Sequence, residues 1–244
     1  MKPRCLIAAA FIAAYTTVGV SQNISAGRAE SDKNIQVRLQ SLAKFSPDPC
    51  GPPYGADQDS SDIESAIFRA ATDEVTRALN SDSTRAKSPA ERATERLQAI
   101  QKISADANAA WPDENRFQFE ILDLSPALVV KLAIRSNAHY IVFGVPAEDD
   151  TGKPNRKWRE VGSDDENDRL TWLRLDIYPL HRGPEGNPRF LAKFIESGCA
   201  GSVGVSYDIR EWTPTEFGSF DQVIKISGAF GWMTKFPGSR KSES

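Results

Sequence analysis

The first half of the chain shows the hydrophobic spacing of helices. Two capping boxes, in which a Ser accepts from an early backbone N–H and a Glu three places on reaches back, predict helix starts at Ser61 and Ser88. Residues 32–45 fit both an alternating and a helical pattern, and we favour a helix there. The apolar stripes after the two capping boxes are rich in alanine and suit close packing on a sheet or on each other. They comprise Ile63, Ile67, Ala70, Ala71, Val75 and Ala78, and Ala93, Leu97, Ile100 and Ala107.

After Trp111-Pro112 the pattern changes to that of strands. Phe117, Phe119 and Ile121 alternate with polar residues, as in a strand with one wet face. Ser125-Pro126 predicts a short apolar helix near 126–136, because proline is favoured in the first turn of a helix. Residues 140–145 are apolar on both faces and predict a central strand covered on both sides. Further strands are predicted at 170–180, 190–197, 203–212 and 220–227, between turns rich in glycine and proline.

These elements predict an α+β fold, with N-terminal helices packed on one face of a mostly antiparallel sheet of five to six strands. Short turns favour antiparallel neighbours, since a parallel crossover needs a dozen or more residues. We expect four segments: a signal peptide at 1–26, an N-terminal segment with a Pro/Gly-rich linker at 27–56, a single α+β domain at 57–234, and a disordered polar tail at 235–244.

The N-terminus predicts export. Lys2 and Arg4 precede an uncharged, alanine-rich run of 16 residues, and small residues follow at possible cleavage points between Ser21 and Ala26. The run is shorter than the ~20 residues that a membrane-spanning helix needs. We therefore expect a secreted or periplasmic protein without a membrane span after cleavage.

Charge argues against a nucleic-acid partner. The formal net charge of the chain is −3, and removal of Lys2 and Arg4 makes it more negative. Binding to phosphate backbones needs a basic surface with Lys and Arg on one face.

The cysteines predict a disulfide. Of the three in the chain, Cys5 leaves with the signal peptide, so that Cys50 and Cys199 remain. An even pair in an exported protein is most simply a disulfide, with two free thiols as the alternative.

The stretch around Cys199 also contains Ala200-Gly201-Ser202-Val203-Gly204, which has the form of a hydrolase nucleophile turn. Such a turn needs a helix after the serine, whereas Val203, Val205, Tyr207 and Ile209 alternate with polar residues as in a strand. The stretch is therefore interpreted as a hairpin between two strands, and no catalytic residue is assigned.

Two weaker binding hypotheses concern the middle of the chain. Antiparallel pairing of 140–145 with 171–180 would bring His139 and His181 to the same end of a sheet, where they could hold zinc with a carboxylate such as Asp176 or Glu185. In the long segment 148–168, an exposed Trp158 among cations could bind an anionic or aromatic ligand by stacking and charge. The cations nearest to Trp158 are Arg156, Lys157 and Arg159.

The function expected from the sequence is that of a soluble exported module that binds a small molecule, a glycan or an envelope protein, without catalysis and without a cofactor. One alternative is an extracellular hydrolase or isomerase that uses strand carboxylates in a pocket, with Asp123, Asp176 and Asp208 as candidates. Another is a structural component of an envelope complex, which predicts an exposed apolar patch.

Overall fold

The structure is a computed structural model that describes residues 27–45, 58–81, 87–135, 137–148, 152–164, 171–198, 203–212 and 220–230. The predicted signal peptide, the Pro/Gly-rich linker, the C-terminal tail, Cys50, Cys199 and Ser202 lie outside the described residues.

Three α-helices of the described part of the chain form the first layer. Helix α1 spans residues 27–42, α2 spans Gln58–Leu79 and α3 spans Pro89–Ala107. The helix favoured for 32–45 is thus confirmed, with Ile35, Leu39 and Leu42 fully buried. In the part of the chain that the structure describes, no helix is long and apolar enough to cross a membrane.

The two capping boxes have different outcomes. At α3 the Ser88 side chain accepts from the Glu91 backbone N–H, and the Glu91 carboxylate accepts from the Ser88 N–H, as predicted. Helix α2 already includes Gln58, so that Ser61 lies inside the helix and the N-cap predicted at Ser61 was wrong. Acidic residues near a helix N-terminus are favoured by the helix dipole, which allows the helix to begin before Ser61.

The described residues contain eight antiparallel strands in two sheets of four, rather than the single sheet of five to six strands that was expected. Sheet 1 contains β1 (Gln118–Asp123), β2 (Leu128–Ile134), β3 (Asn137–Gly144) and β4 (Arg159–Ser163). Sheet 2 contains β5 (Thr171–Leu180), β6 (Arg189–Gly198), β7 (Val203–Trp212) and β8 (Phe220–Phe230). In both sheets the strands are neighbours in the order of the sequence.

The helix predicted near 126–136 was wrong, because this segment forms strand β2. Ser125-Pro126 has a cis peptide bond in the connection between β1 and β2 rather than at the start of a helix. Leu128, Val130, Leu132 and Ile134 of β2 face the helices and are buried. Pairing with β1 on one side and β3 on the other satisfies the backbone of this run.

Two hydrophobic cores lie on opposite faces of sheet 1. On one face, Ile141 and Phe143 of β3 pack with the helices, and on the other, Tyr140 and Val142 pack with Leu175 and Phe190 of sheet 2. The apolar character of 140–145 on both faces correctly indicated this double cover. The chain therefore forms three layers: the helices, sheet 1 and sheet 2.

Candidate functional site

Only Val203 and Gly204 of the nucleophile-like stretch 200–204 are among the described residues. Strand β6 ends at Gly198 and β7 begins at Val203, with Ser197 paired to Val203. A strand and not a helix thus follows position 202, as the alternation predicted. This geometry lacks the strand-to-helix turn that exposes a hydrolase serine.

Trp158 is half-buried and packs against the helical core, so the expectation of an exposed indole was wrong. Its backbone N–H donates to Asn80 Oδ1 at 2.9 Å, and its carbonyl accepts from Asn80 Nδ2 at 2.8 Å. The cations Arg156 and Lys157 are exposed, whereas Arg159 begins β4 and is half-buried. Strand β4 was missed by the sequence interpretation, which treated the whole of 148–168 as a connection. The structure therefore makes Trp158 an anchor between α2 and sheet 1.

The two histidines are not brought together by strand pairing. The neighbours of β3 are β2 and β4, and β5 pairs with β6 in the other sheet, so the expected pairing of 140–145 with 171–180 was wrong. His181 follows β5 and is exposed. His139 contacts the Phe68 ring edge-on at 4.9 Å, on the helical face of sheet 1. Among the described residues, no group of three or more His, Cys, Asp or Glu side chains is arranged to hold a metal ion.

His139 is paired with Asp164, a residue that the sequence presented only as part of an acidic run. The distance from His139 Nδ1 to Asp164 Oδ1 is 2.8 Å, and Asp164 Oδ2 accepts from the Tyr140 backbone N–H at 3.2 Å. A carboxylate on Nδ1 orients an imidazole, as general acid–base sites require. Here the pair is covered by Phe68 of α2, and it fixes the end of β4 against β3.

A second buried polar group joins α2 to the β2–β3 turn. Glu64 accepts from Arg135 Nη1 at 3.1 Å and also from the side-chain amide of Asn137. The Arg135 backbone has φ of 55°, and its guanidinium lies 5.9 Å from the centre of the Trp111 ring. Glu64 and Arg135 are both about 95% buried, which requires that each charge be compensated. Sequence reasoning missed this cluster because its members come from three separate segments.

Between the two sheets lies one more polar cluster. The Tyr140 hydroxyl donates to Asp208 Oδ2 at 3.4 Å, and Arg210 Nε donates to the same oxygen at 2.8 Å. Burial raises the pKa of the Tyr140 hydroxyl well above its usual value of 10, opposed in part by the charge of Arg210. Asp208 Oδ1 is buried without a hydrogen-bond partner. This cluster therefore links the two sheets, but one of its buried polar atoms has no hydrogen-bond partner.

The three strand carboxylates proposed for an enzyme do not converge. Asp123 Oδ1 accepts from the Ser125 backbone N–H in the β1–β2 connection. Asp176 lies 3.3 Å from Arg174 Nε, and Asp208 lies between the sheets. They therefore do not form a common acid–base site.

Of the four large hydrophobic side chains that are exposed among the described residues, three belong to sheet 2. Leu175 and Ile177 of β5, and Phe190 and Ala192 of β6, point toward sheet 1, so the alternate residues of these strands form the opposite face. We call this opposite face of β5, β6 and β7 the outer face. Tyr178, Leu180 and Tyr207 lie on it and are 44%, 37% and 37% exposed.

The described side chains of the outer face lie in four rows across β5, β6 and β7. One row contains only apolar residues, one contains two apolar residues and one charged residue, and the other two each contain one apolar and two charged residues. From β5 to β7 the rows are Arg174, Ile195, Val205; Asp176, Lys193, Tyr207; Tyr178, Leu191, Ile209; and Leu180, Arg189, Glu211. The apolar residues are therefore contiguous across the face, and the Asp176–Lys193 pair lies between the apolar row and Ile195. The alternation of residue types in 170–180 and 203–212 indicated that these strands have two different faces. Which of the two faces is buried could be assigned only from the packing of sheet 2 on sheet 1.

Comparisons with known proteins identify no relative. No protein-family model matches the chain, and neither curated proteins nor solved structures give a significant match.

Proposed function

We propose that this chain is an exported protein that acts by binding another protein, and that the outer face of sheet 2 is its binding surface. The exposed aromatic and aliphatic side chains of that face carry the proposal. Export is proposed from the charge and hydropathy pattern of the first 26 residues.

The composition of the outer face supports a role in binding. Exposed apolar patches with polar margins are typical of interaction sites, and tyrosine is enriched where proteins meet. Among the described side chains of the outer face, Tyr178 and Tyr207 are the exposed aromatic residues, and both combine a large apolar ring with a polar hydroxyl. Leu191 and Ile209 are half-buried and continue the apolar patch between them.

The shape of the face favours a protein over a small molecule. Small-molecule sites are concave and enclose most of their ligand. The outer face is one side of a four-stranded sheet, and its apolar row from Tyr178 to Ile209 crosses three strands. A surface of this extent fits another extended surface, which also agrees with a role as an envelope component.

Photo-crosslinking in the cell of origin tests the proposal without knowledge of the partner. Tyr207→p-benzoylphenylalanine keeps an aromatic side chain on the outer face, and the same replacement of Val37 serves as a control. Val37 is 52% exposed but lies on α1, in the opposite layer of the molecule. We expect a discrete covalent protein adduct from position 207 and none from position 37. Absence of an adduct from position 207, or equal adducts from both positions, would refute the outer face as a binding surface.

A further inference from the structure

We propose that the partner on the outer face is a second copy of this chain, with the two sheets packed face to face about a twofold axis. This inference rests on the proposed function, because it names the protein that the outer face binds. Three properties of the described residues support it: the area of the face, its charge balance and the architecture of the chain itself.

The area of the face meets the lower requirement for a specific dimer. The outer face together with the adjoining strand β8 spans four strands about 4.8 Å apart, and seven residues at about 3.4 Å each give a flat surface of roughly 400 Å². Side-chain relief raises the accessible area, so that two facing copies would bury about 1,000 Å² in total, near the lower limit for specific interfaces. The expected dimer is therefore a reversible one.

The charges of the face do not oppose a like copy. The rows contain three cations, Arg174, Lys193 and Arg189, and two carboxylates, Asp176 and Glu211. Arg174 lies 3.3 Å from Asp176, and Arg189 is paired with Glu211 within the same chain. Lys193 lies directly across from Asp176 in the register. A nearly neutral face can meet its own copy without strong repulsion, whereas a strongly charged partner would find little complementarity.

The chain already uses sheet-on-sheet packing on the other side of the same sheet. The inner face of sheet 2 packs on sheet 1 through Ile177, Phe190 and Ala192. Two sheets packed face to face interdigitate alternate side chains at about 10 Å separation, which requires apolar residues on every second position. On the outer side, Tyr178, Leu191 and Ile209 provide one row of such positions across three strands. A second copy would cover the outer face of sheet 2. Sheet 2 would then be packed on both faces, as sheet 1 is within the chain.

A twofold axis gives the interface a defined form. In an isologous contact the same residues are used by both copies, so each substitution alters the interface twice. Substitutions at the exposed tyrosines should therefore have large effects on association with small effects on folding, because these side chains are largely in water in the isolated chain.

Sedimentation equilibrium of the purified exported protein, from about 1 to about 200 µM, tests the inference. We expect the wild-type mass to rise toward that of a dimer. Tyr178→Lys/Tyr207→Lys should raise the dissociation constant by about 30-fold or more, because it places charges in the apolar centre. Tyr207→Phe should retain the dimer, and Val37→Lys provides a matched exposed control on α1 that should also retain it. Circular dichroism melting of each variant verifies that it is folded.

The outcomes separate this inference from the proposed function. A monomeric wild type at the highest concentration, or a dimer that is unaffected by the double lysine variant, overturns the second copy as partner. If the wild type is monomeric but position 207 still gives an adduct of another mass in the cell, the binding surface stands and only its occupant is wrong. If position 207 gives no adduct and the protein is monomeric, both proposals fail.

Discussion

Replacing Arg96 with methionine tests how the helical layer is held together. Arg96 of α3 is 1% exposed, and its Nε donates to Glu74 Oε2 of α2 at 2.6 Å. Its Nη2 also pairs with Asp32 of α1, which is 34% exposed. The guanidinium therefore connects all three helices. Arg96→Met keeps most of the side-chain volume but leaves the Glu74 carboxylate, itself 3% exposed, without its buried partner.

The expected loss follows from the burial of both groups. Removal of one member of a buried ion pair costs about 3–5 kcal/mol, because the remaining charge is uncompensated. Glu74 keeps Arg77 as a second partner, so the lower end of that range applies, about 3 kcal/mol. For a chain of this size, such a loss lowers Tm by roughly 6–12 °C.

Urea unfolding followed by far-UV circular dichroism measures the change, with two comparison variants. Arg77→Met removes the other partner of Glu74, but the Arg77 side chain is 59% exposed, so it should cost less than about 1 kcal/mol. Arg96→Met/Glu74→Met removes both buried charges, so that no buried carboxylate is left without its partner. The double variant should therefore be much closer in stability to the wild type than Arg96→Met. The reasoning is refuted if Arg96→Met costs less than 1 kcal/mol, or if the double variant is as unstable as the single one.

Three further substitutions test other parts of the fold. The raised pKa of Tyr140 means that the neutral phenol stabilises the folded state below about pH 10 and that this contribution is lost as the pH rises further. Urea unfolding between about pH 9 and pH 11 should therefore show a smaller loss of stability in Tyr140→Phe than in the wild type, and equal slopes would contradict the burial argument. Gly144→Ala should cost about 1–3 kcal/mol in thermal melting, since the new Cβ would lie 2.5 Å from Cη2 of the buried Trp212; an unchanged Tm would mean that the indole moves freely. Ser88→Ala should cost about 1 kcal/mol through loss of the α3 cap. The Ser88 backbone N–H and, to a smaller extent, the Ser88 side chain lower the pKa of Glu91, so this contribution is present above pH 4.5 and is lost as the pH falls; Ser88→Ala keeps the backbone N–H and should therefore only reduce this part of the acid sensitivity, and an unchanged acid profile would argue against a contribution from the Ser88 side chain.

The elements that were predicted correctly are those whose sequence pattern lies within one short segment. The cap at Ser88, the stripe of Ile35, Leu39 and Leu42, and the hairpin before Val203 depend on neighbours within a few residues, and all three were found. The helix predicted near 126–136 from Ser125-Pro126 was wrong, because proline is common in turns as well as at helix starts. The neighbouring strands β1 and β3, which decide between the two, are supplied only by tertiary structure.

The positions of the polar side chains could not be predicted in the same way. Glu64 is 71 residues from Arg135, and His139 is 25 residues from Asp164. Nothing in their local patterns indicates these partners. Trp158 was expected in solvent because its neighbours are charged, but its own ring area favours burial, and Asn80 supplies both hydrogen bonds to its backbone. The proposed disulfide between Cys50 and Cys199 stays a prediction.

The arrangement of the layers in chain order has a consequence for how the protein is assembled. Helices, sheet 1 and sheet 2 each come from one uninterrupted stretch, and every strand pair joins strands that are consecutive in the sequence. Contacts within the sheets are therefore mostly of low sequence separation, which favours rapid hairpin formation. A nascent chain that ends near residue 164 could close the core between α2 and β2, but Val129 and Val142 would remain in water until β5 and β6 are made. Completion of the C-terminal hairpins is thus the step that removes the last aggregation-prone surface of the middle layer.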